Sequence, residues 1–404
     1  MAQITYDFDS IISRKDTASL KWDVKEGELP MWVADMDFKC APQLIEALQK
    51  RVAHGVFGYS EVPDEWYDAY ISWWRRRHGL EINKEWLIFC NGVIPAISST
   101  VRKITTPGEK VVIQTPVYSV FFSSIFNNGC RVLQNALIYE DGRYGMDFDD
   151  LEKKLSDPQT SLMILCNPQN PSGMIWDRKT LERVGDLCVR YNVAVISDEI
   201  HCDLVTPGKK YVPFASVSTN CRACSITCVA PTKAFNLAGL HTAAVIIPNE
   251  FLRHKIWRAL NTDEVAEPNA FAVTAAVCAF NECEDWLDSL NEYIYKNRMM
   301  LEDYVRENIP YIKVFKGDAT YLVWLDISGI TSKLIGRVSC RYISRFVADH
   351  IREKTGLYIS QGAEFGEAGE GFLRINIACP QSMLKDGLDR LKTGTDLLIK
   401  EFDL

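Results

Sequence analysis

Leu162-Met163-Ile164-Leu165-Cys166-Asn167-Pro168-Gln169-Asn170-Pro171-Ser172-Gly173, followed by Arg178–Tyr191 and then by Val193-Ala194-Val195-Ile196-Ser197-Asp198-Glu199-Ile200-His201, is the stretch that decides the fold. Its first five residues are apolar without alternation, as in a strand buried on both faces. Arg178–Tyr191 then places Leu181, Val184, Leu187 and Cys188 on one helical face, with charges opposite. A second strand-like run, Val193–Ser197, closes the unit. Strand, helix, strand is the connection that two parallel neighbouring strands require.

The same alternation extends outward. Leu87–Cys90, Lys110–Gln114 and Arg131–Leu137 precede the unit, and Cys224–Val229 and Ala243–Ile247 follow it. Seven strand candidates separated by amphipathic stretches predict an α/β fold with a mostly parallel sheet covered by helices. After residue 280 the pattern changes. Helical stretches at Trp286–Asn308 and Arg341–Thr355 flank the runs Thr320–Asp326 and Gly371–Ala378, and a last helix is expected over Ser382–Glu401. At 404 residues the chain exceeds a single domain of about 50–250 residues. We therefore expect a large domain over 46–280 and a smaller α+β domain built from 1–45 and 281–404.

The net charge of −8 disfavours a nucleic-acid scaffold. No apolar run approaches the roughly 20 residues that span a bilayer, and no basic-then-apolar leader is visible. A cytoplasmic protein is expected, with its thirteen cysteines reduced and mostly buried. Cys221, Cys224 and Cys228 have no second matched pair, so Ala223–Val229 reads as strand and no metal site is expected. Trp73-Trp74-Arg75-Arg76-Arg77 reads as an amphipathic helix with a solvated basic face.

Four segments carry chemistry, and each also has a plainer explanation. Asn167–Gly173 follows a strand, where ligands sit in open α/β sheets, but it is also an ordinary Pro/Gly turn. Asp198 and Glu199 end an apolar strand, where a carboxylate is costly unless paired. A pyridinium nitrogen would pair it, as would a magnesium ion, and a helix N-cap is the third option. Lys233, in Ala230-Pro231-Thr232-Lys233-Ala234-Phe235-Asn236, sits in apolar surroundings that would lower its pKa and suit imine formation; it could equally be a loop lysine. Arg374, in Gly371-Phe372-Leu373-Arg374-Ile375-Asn376, offers a fork for a carboxylate, from a substrate or from a structural salt bridge.

Taken together and in order, these segments resemble the fold type I, aspartate-aminotransferase-like enzymes that use pyridoxal 5′-phosphate (PLP). Ser19-Leu20-Lys21-Trp22-Asp23, Met31-Trp32-Val33-Ala34-Asp35-Met36-Asp37-Phe38, Phe57-Gly58-Tyr59, Ser197–His201 and Arg374–Pro380 narrow the resemblance to the MalY/PatB type of C–S lyase, the cystathionine β-lyase and cystalysin group. The resemblance implies that Lys233 holds PLP as a Schiff base and shuttles the proton. It implies that Asp198 pairs with the ring nitrogen, Asn170 with the ring oxygen, and that Tyr118 stacks on the ring. Gly92, Val93 and Ile94 would open a helix that cradles the phosphate, with Thr232 and His241 adding to it. His201 would touch the ring oxygen or pack behind the residues that do, and Arg374 would bind the substrate carboxylate, with Asn170, Asp35 and Trp32 nearby. Tyr59 would reach the phosphate from the second subunit of a homodimer. The implied reaction is β-elimination from cystathionine or another S-substituted cysteine. An aminotransferase of the same fold and a non-catalytic regulatory protein are the competing readings. Gln169 and Ser119 depart from the group, which usually has His and can have Tyr there.

Overall fold

The computed structural model describes residues 6–404. Its central sheet has seven strands: β1 (Leu87–Cys90), β2 (Lys110–Thr115), β3 (Arg131–Ala136), β4 (Thr160–Cys166), β5 (Ala194–Asp198), β6 (Ser225–Val229) and β7 (Ala243–Ile246). They lie in the order β1-β7-β6-β5-β4-β2-β3. All pairs are parallel except those of β7, which runs antiparallel to both neighbours. Every one of the seven expected runs is a strand, with ends displaced by a residue or two.

The unbroken apolar runs have a simple cause. Along β4, Ile164 and Cys166 enter one core with Ile97, Val101 and Phe121, while Met163 and Leu165 enter a second core with Leu181, Val184, Leu187 and Cys188. Both faces are covered, so nothing selects polar residues at alternate positions. The edge strand β3 is the exception, with several exposed positions. Helix α1 (Val93–Ile104) follows β1, and α2 (Arg178–Arg190) is the predicted crossover from β4 to β5. Asp177 caps α2, accepting from the Lys179 and Thr180 amides.

Beyond the central sheet, the long α3 (Glu284–Asn308) leads to a four-stranded antiparallel sheet in the order β8-β9-β11-β10. Its strands are β8 (Lys313–Val314), β9 (Leu322–Asp326), β10 (Ser360–Gln361) and β11 (Phe372–Asn376). Helices α4 (Ile343–Thr355) and α5 (Gln381–Phe402) pack together beside it. Leu29–Pro30 pairs in parallel with Leu357–Tyr358, which brings the N-terminal segment to this side of the molecule.

Two expectations change. Ala223–Val229 is not all strand: Thr219–Cys224 is a short helix capped by the Ser218 side chain, and only Cys228 of the three cysteines lies in β6. The basic run is also not simply solvated. The helix Asp64–Trp73 passes into a π-helical turn, Trp74–His78, with Trp73 and Trp74 fully buried. Arg76 and Arg77 turn back to Glu284 (3.0 and 3.3 Å), at the start of α3.

Candidate active site

The carboxyl ends of β4, β5 and β6 converge on one cavity of about 240 Å³. β5 ends in Asp198, the loop after β4 brings Asn170, and the turn after β6 brings Thr232 and Lys233. Tyr118 comes from the loop after β2, and Gly92, Val93 and Ile94 from the start of α1. His201 and His241 complete the predicted set that lines it. Ligand binding at strand carboxyl ends is the rule for open α/β sheets, and here the lining draws on residues from Ala34 to Thr242.

Helix α1 begins without a side-chain cap and without an acidic residue in its first turn. Its leading N–H groups therefore point into the cavity region free for an anion. A Cβ on Gly92 would come 3.2 Å from Pro95 Cδ, so the bare residue keeps the helix entrance open.

The electrostatics follow from burial. Burial pushes the Asp198 carboxyl up to about 7, and its hydrogen bond from the Ile200 amide (3.2 Å) opposes this only in part. Burial brings Lys233 down to about 8, with Asp35 pulling the other way. The amine is thus partly neutral near pH 7, as a nucleophile must be. His201 is pulled down to about 3 by burial, helped by Lys233 and Arg374, which keeps the imidazole neutral. Its buried Nδ1 has no partner among the described residues.

Arg374 lies on β11, behind Asn170. Its guanidinium donates to Asn170 Oδ1 (2.9 Å) and to the Trp32 carbonyl (2.9 Å), and stands over the Phe365 ring. Its buried Nε has no partner among the described residues. Trp32 therefore enters through its backbone, while its ring stacks on Tyr358. Asp35 does not line the cavity. It pairs with Arg14 (2.7 Å) and Lys21 (3.6 Å), and Asp37 beside it pairs with Lys21 (2.6 Å). Tyr59 is fully exposed and stays outside the cavity within a single chain.

Three residues not singled out from the sequence shape the site. Asn376 donates to the Val33 and Asp35 carbonyls (2.6 and 2.7 Å), and Asn236 brackets Met36 and Phe38 with three hydrogen bonds. Between them they fix residues 33–38 across the cavity. This places the Ala34 carbonyl where it accepts from Lys233 Nζ (2.7 Å) and from the Tyr321 hydroxyl (3.0 Å). Gln169 is explained as well: it is a buried strut, donating to the Pro116 carbonyl (2.5 Å) and accepting from the Ser172 amide (2.9 Å), and it does not line the cavity. Ser119 also lies off the lining.

The donor set fits PLP. It offers an amine for the aldehyde, a buried carboxylate for the ring nitrogen, a bare helix N-terminus for the phosphate, and an unpartnered imidazole nitrogen on the same cavity lining.

The aminotransferase class I and II family model matches residues 30–391. Cystathionine β-lyase PatB of Bacillus subtilis is 43% identical over 96% of this chain and 99% of its own. Protein MalY of Escherichia coli is 33% identical, over 95% and 97%. The crystal structure of cystalysin from Treponema denticola, which contains a pyridoxal 5′-phosphate cofactor, has a TM-score of 0.91 at 33% identity and covers 98% of this chain and 100% of its own. With the family model spanning most of the chain and the cavity at the expected strand ends, the chain belongs to the aminotransferase class I and II family, in the MalY/PatB group of PLP-dependent C–S lyases.

Proposed function

We propose that this chain is a PLP-dependent β-lyase that cleaves cystathionine or a related S-substituted cysteine. The observation that carries the reading is Lys233 Nζ, held 2.7 Å from the Ala34 carbonyl on the wall of a cavity that also presents buried Asp198 and the bare end of α1. Its 43% identity to a cystathionine β-lyase selects the reaction.

Bound PLP supplies the electron sink for negative charge at the substrate α-carbon. Asp198 would keep the ring nitrogen protonated, its own burial being compensated by that positive charge. The α1 amides and Thr232 would hold the phosphate, with His241 at the cavity mouth and His201 and Asn170 beside the ring oxygen. Tyr118 would cover the ring face. Arg374 would take the substrate carboxylate through its free Nε, with Asn170 and the Trp32 carbonyl fixing the guanidinium. Lys233 would remove the α-proton and the thiol would leave from the β-carbon. The balance is one S-substituted cysteine plus one water giving one thiol, one pyruvate and one ammonium ion.

The homodimer and the two-domain division at residues 45 and 280 belong to the same reading. Exposed Tyr59 sits among Val52, Val56 and Phe57, also exposed, which supports a second subunit covering this segment. No helix among the described residues is long and apolar enough to cross a membrane, and all thirteen cysteines are free, in keeping with a cytoplasmic setting. Aminotransfer is the second reading, favoured by the description of the family model. The two separate on one assay. L-cystathionine without any 2-oxo acid is expected to yield pyruvate and homocysteine in equal amounts. Turnover that requires a 2-oxo acid and releases no thiol would replace the lyase with a transaminase.

A further inference from the structure

The π-helical turn Trp74–His78 has a consequence outside the PLP cavity. Its last residue, His78, is brought against Cys202 and Asp203, which directly follow His201 in the turn after β5. The ligand atoms of these three side chains all lie within 4.8 Å of one another. Tetrahedral zinc spaces its donors roughly 3–4 Å apart, so closing the triad needs only side-chain adjustment. π-Turns recur at functional positions because they reorient one side chain within an otherwise regular helix.

We propose that His78, Cys202 and Asp203 form a binding site for a thiophilic divalent cation, zinc being the best match. Thiolate with imidazole selects zinc over magnesium or calcium, which take oxygen ligands. The charges balance: one thiolate and one carboxylate neutralise Zn²⁺, and the imidazole binds neutral. Binding exchanges the Cys202 thiol proton for the metal and releases that proton to water; no redox step is involved.

The surroundings are built in the way metal sites are. Cys202 and Asp203 are buried. Asp203 Oδ1 accepts from the indole of Trp73 (3.0 Å) and sits 2.8 Å from His78 Nε2, leaving Oδ2 out of both contacts. The Trp73 indole thus fixes the carboxylate as an outer hydrogen bond does in metal sites. Of the three arginines on the same turn, Arg76 and Arg77 are engaged by Glu284 (3.0 and 3.3 Å), and Arg77 also by Asp288 (2.8 Å), on α3. The triad lines the wall of a polar cleft of about 1000 Å³, which leaves a fourth coordination position for water. A metal here would pin the turn that follows Asp198 and carries His201 to the helix ending at Trp73, so its role is to position that turn. No sequence spacing announces the site, because His78 stands far upstream of the Cys202-Asp203 pair.

The test uses the holoenzyme, dialysed with Zn²⁺ against a competing chelator, with the metal counted per chain by mass spectrometry. Wild type is expected to retain one zinc and to gain a higher Tm with it. Cys202→Ala and His78→Asn are each expected to lose both effects, and Cys340→Ala, at the exposed cysteine, to lose neither. Trp73→Phe is expected to weaken binding about 10–100-fold. Should Cys202→Ala fail to fold, His78→Asn decides. No zinc in wild type above the variant level, or zinc that persists in His78→Asn, would overturn the proposal.

Discussion

Lys233→Ala is expected to lower turnover by about 10⁴-fold, the upper end of what a positioned proton-transfer group contributes. The loss reflects more than one missing base. Lys233 Nζ is the amine on the cavity wall that burial brings down to about 8, and the Ala34 carbonyl gives it a fixed second position. Removing it takes away the covalent anchor and the proton carrier together. The fold should survive, because among the described residues Lys233 makes no salt bridge and its one side-chain hydrogen bond is to a carbonyl that Tyr321 also holds. Matched Tm values with collapsed pyruvate production would support this account. A variant that kept one tenth of wild-type turnover would place the base elsewhere.

Arg374→Lys is expected to lower kcat/KM less steeply, by a different route. An ammonium cannot reproduce the fork that holds Asn170 Oδ1 and the Trp32 carbonyl while leaving Nε free. Truncating a buried charge-assisted pair costs about 2–4 kcal/mol, roughly 30- to 1000-fold in kcat/KM. If the lost contact holds the substrate carboxylate in ground and transition states alike, KM should carry most of the change. Steady-state kinetics with L-cystathionine would read this, and an unchanged KM would remove Arg374 from substrate recognition.

The scaffold was legible for a physical reason. Strands covered on both faces carry continuous apolar runs, and those runs end where the sheet ends, so the sequence alone places Asp198, Asn170 and Lys233 at or just beyond strand termini. The resemblance to a known group added roles that no spacing shows, such as those of Tyr118 and His241. What stayed hidden depends on contacts between distant segments. Asn236 and Asn376 look like ordinary polar residues until each is seen bonding to carbonyls of residues 33–38. Asp35 was expected near the substrate, but its carboxylate is engaged by Arg14 and Lys21, and it is the neighbouring Ala34 backbone that touches Lys233. The helix Thr219–Cys224 stays hidden because a short capped turn leaves no periodicity, and the exposed Tyr59 lies off the cavity lining.

The attachment of PLP to Lys233 is the claim from which the rest follows. Borohydride reduction of the holoenzyme, proteolysis and mass mapping of the pyridoxyl group test it most directly. The account predicts the label on the peptide that contains Thr232-Lys233-Ala234, in wild type and not in Lys233→Ala. A label on any other lysine, or a holoenzyme with no reducible linkage, would contradict it.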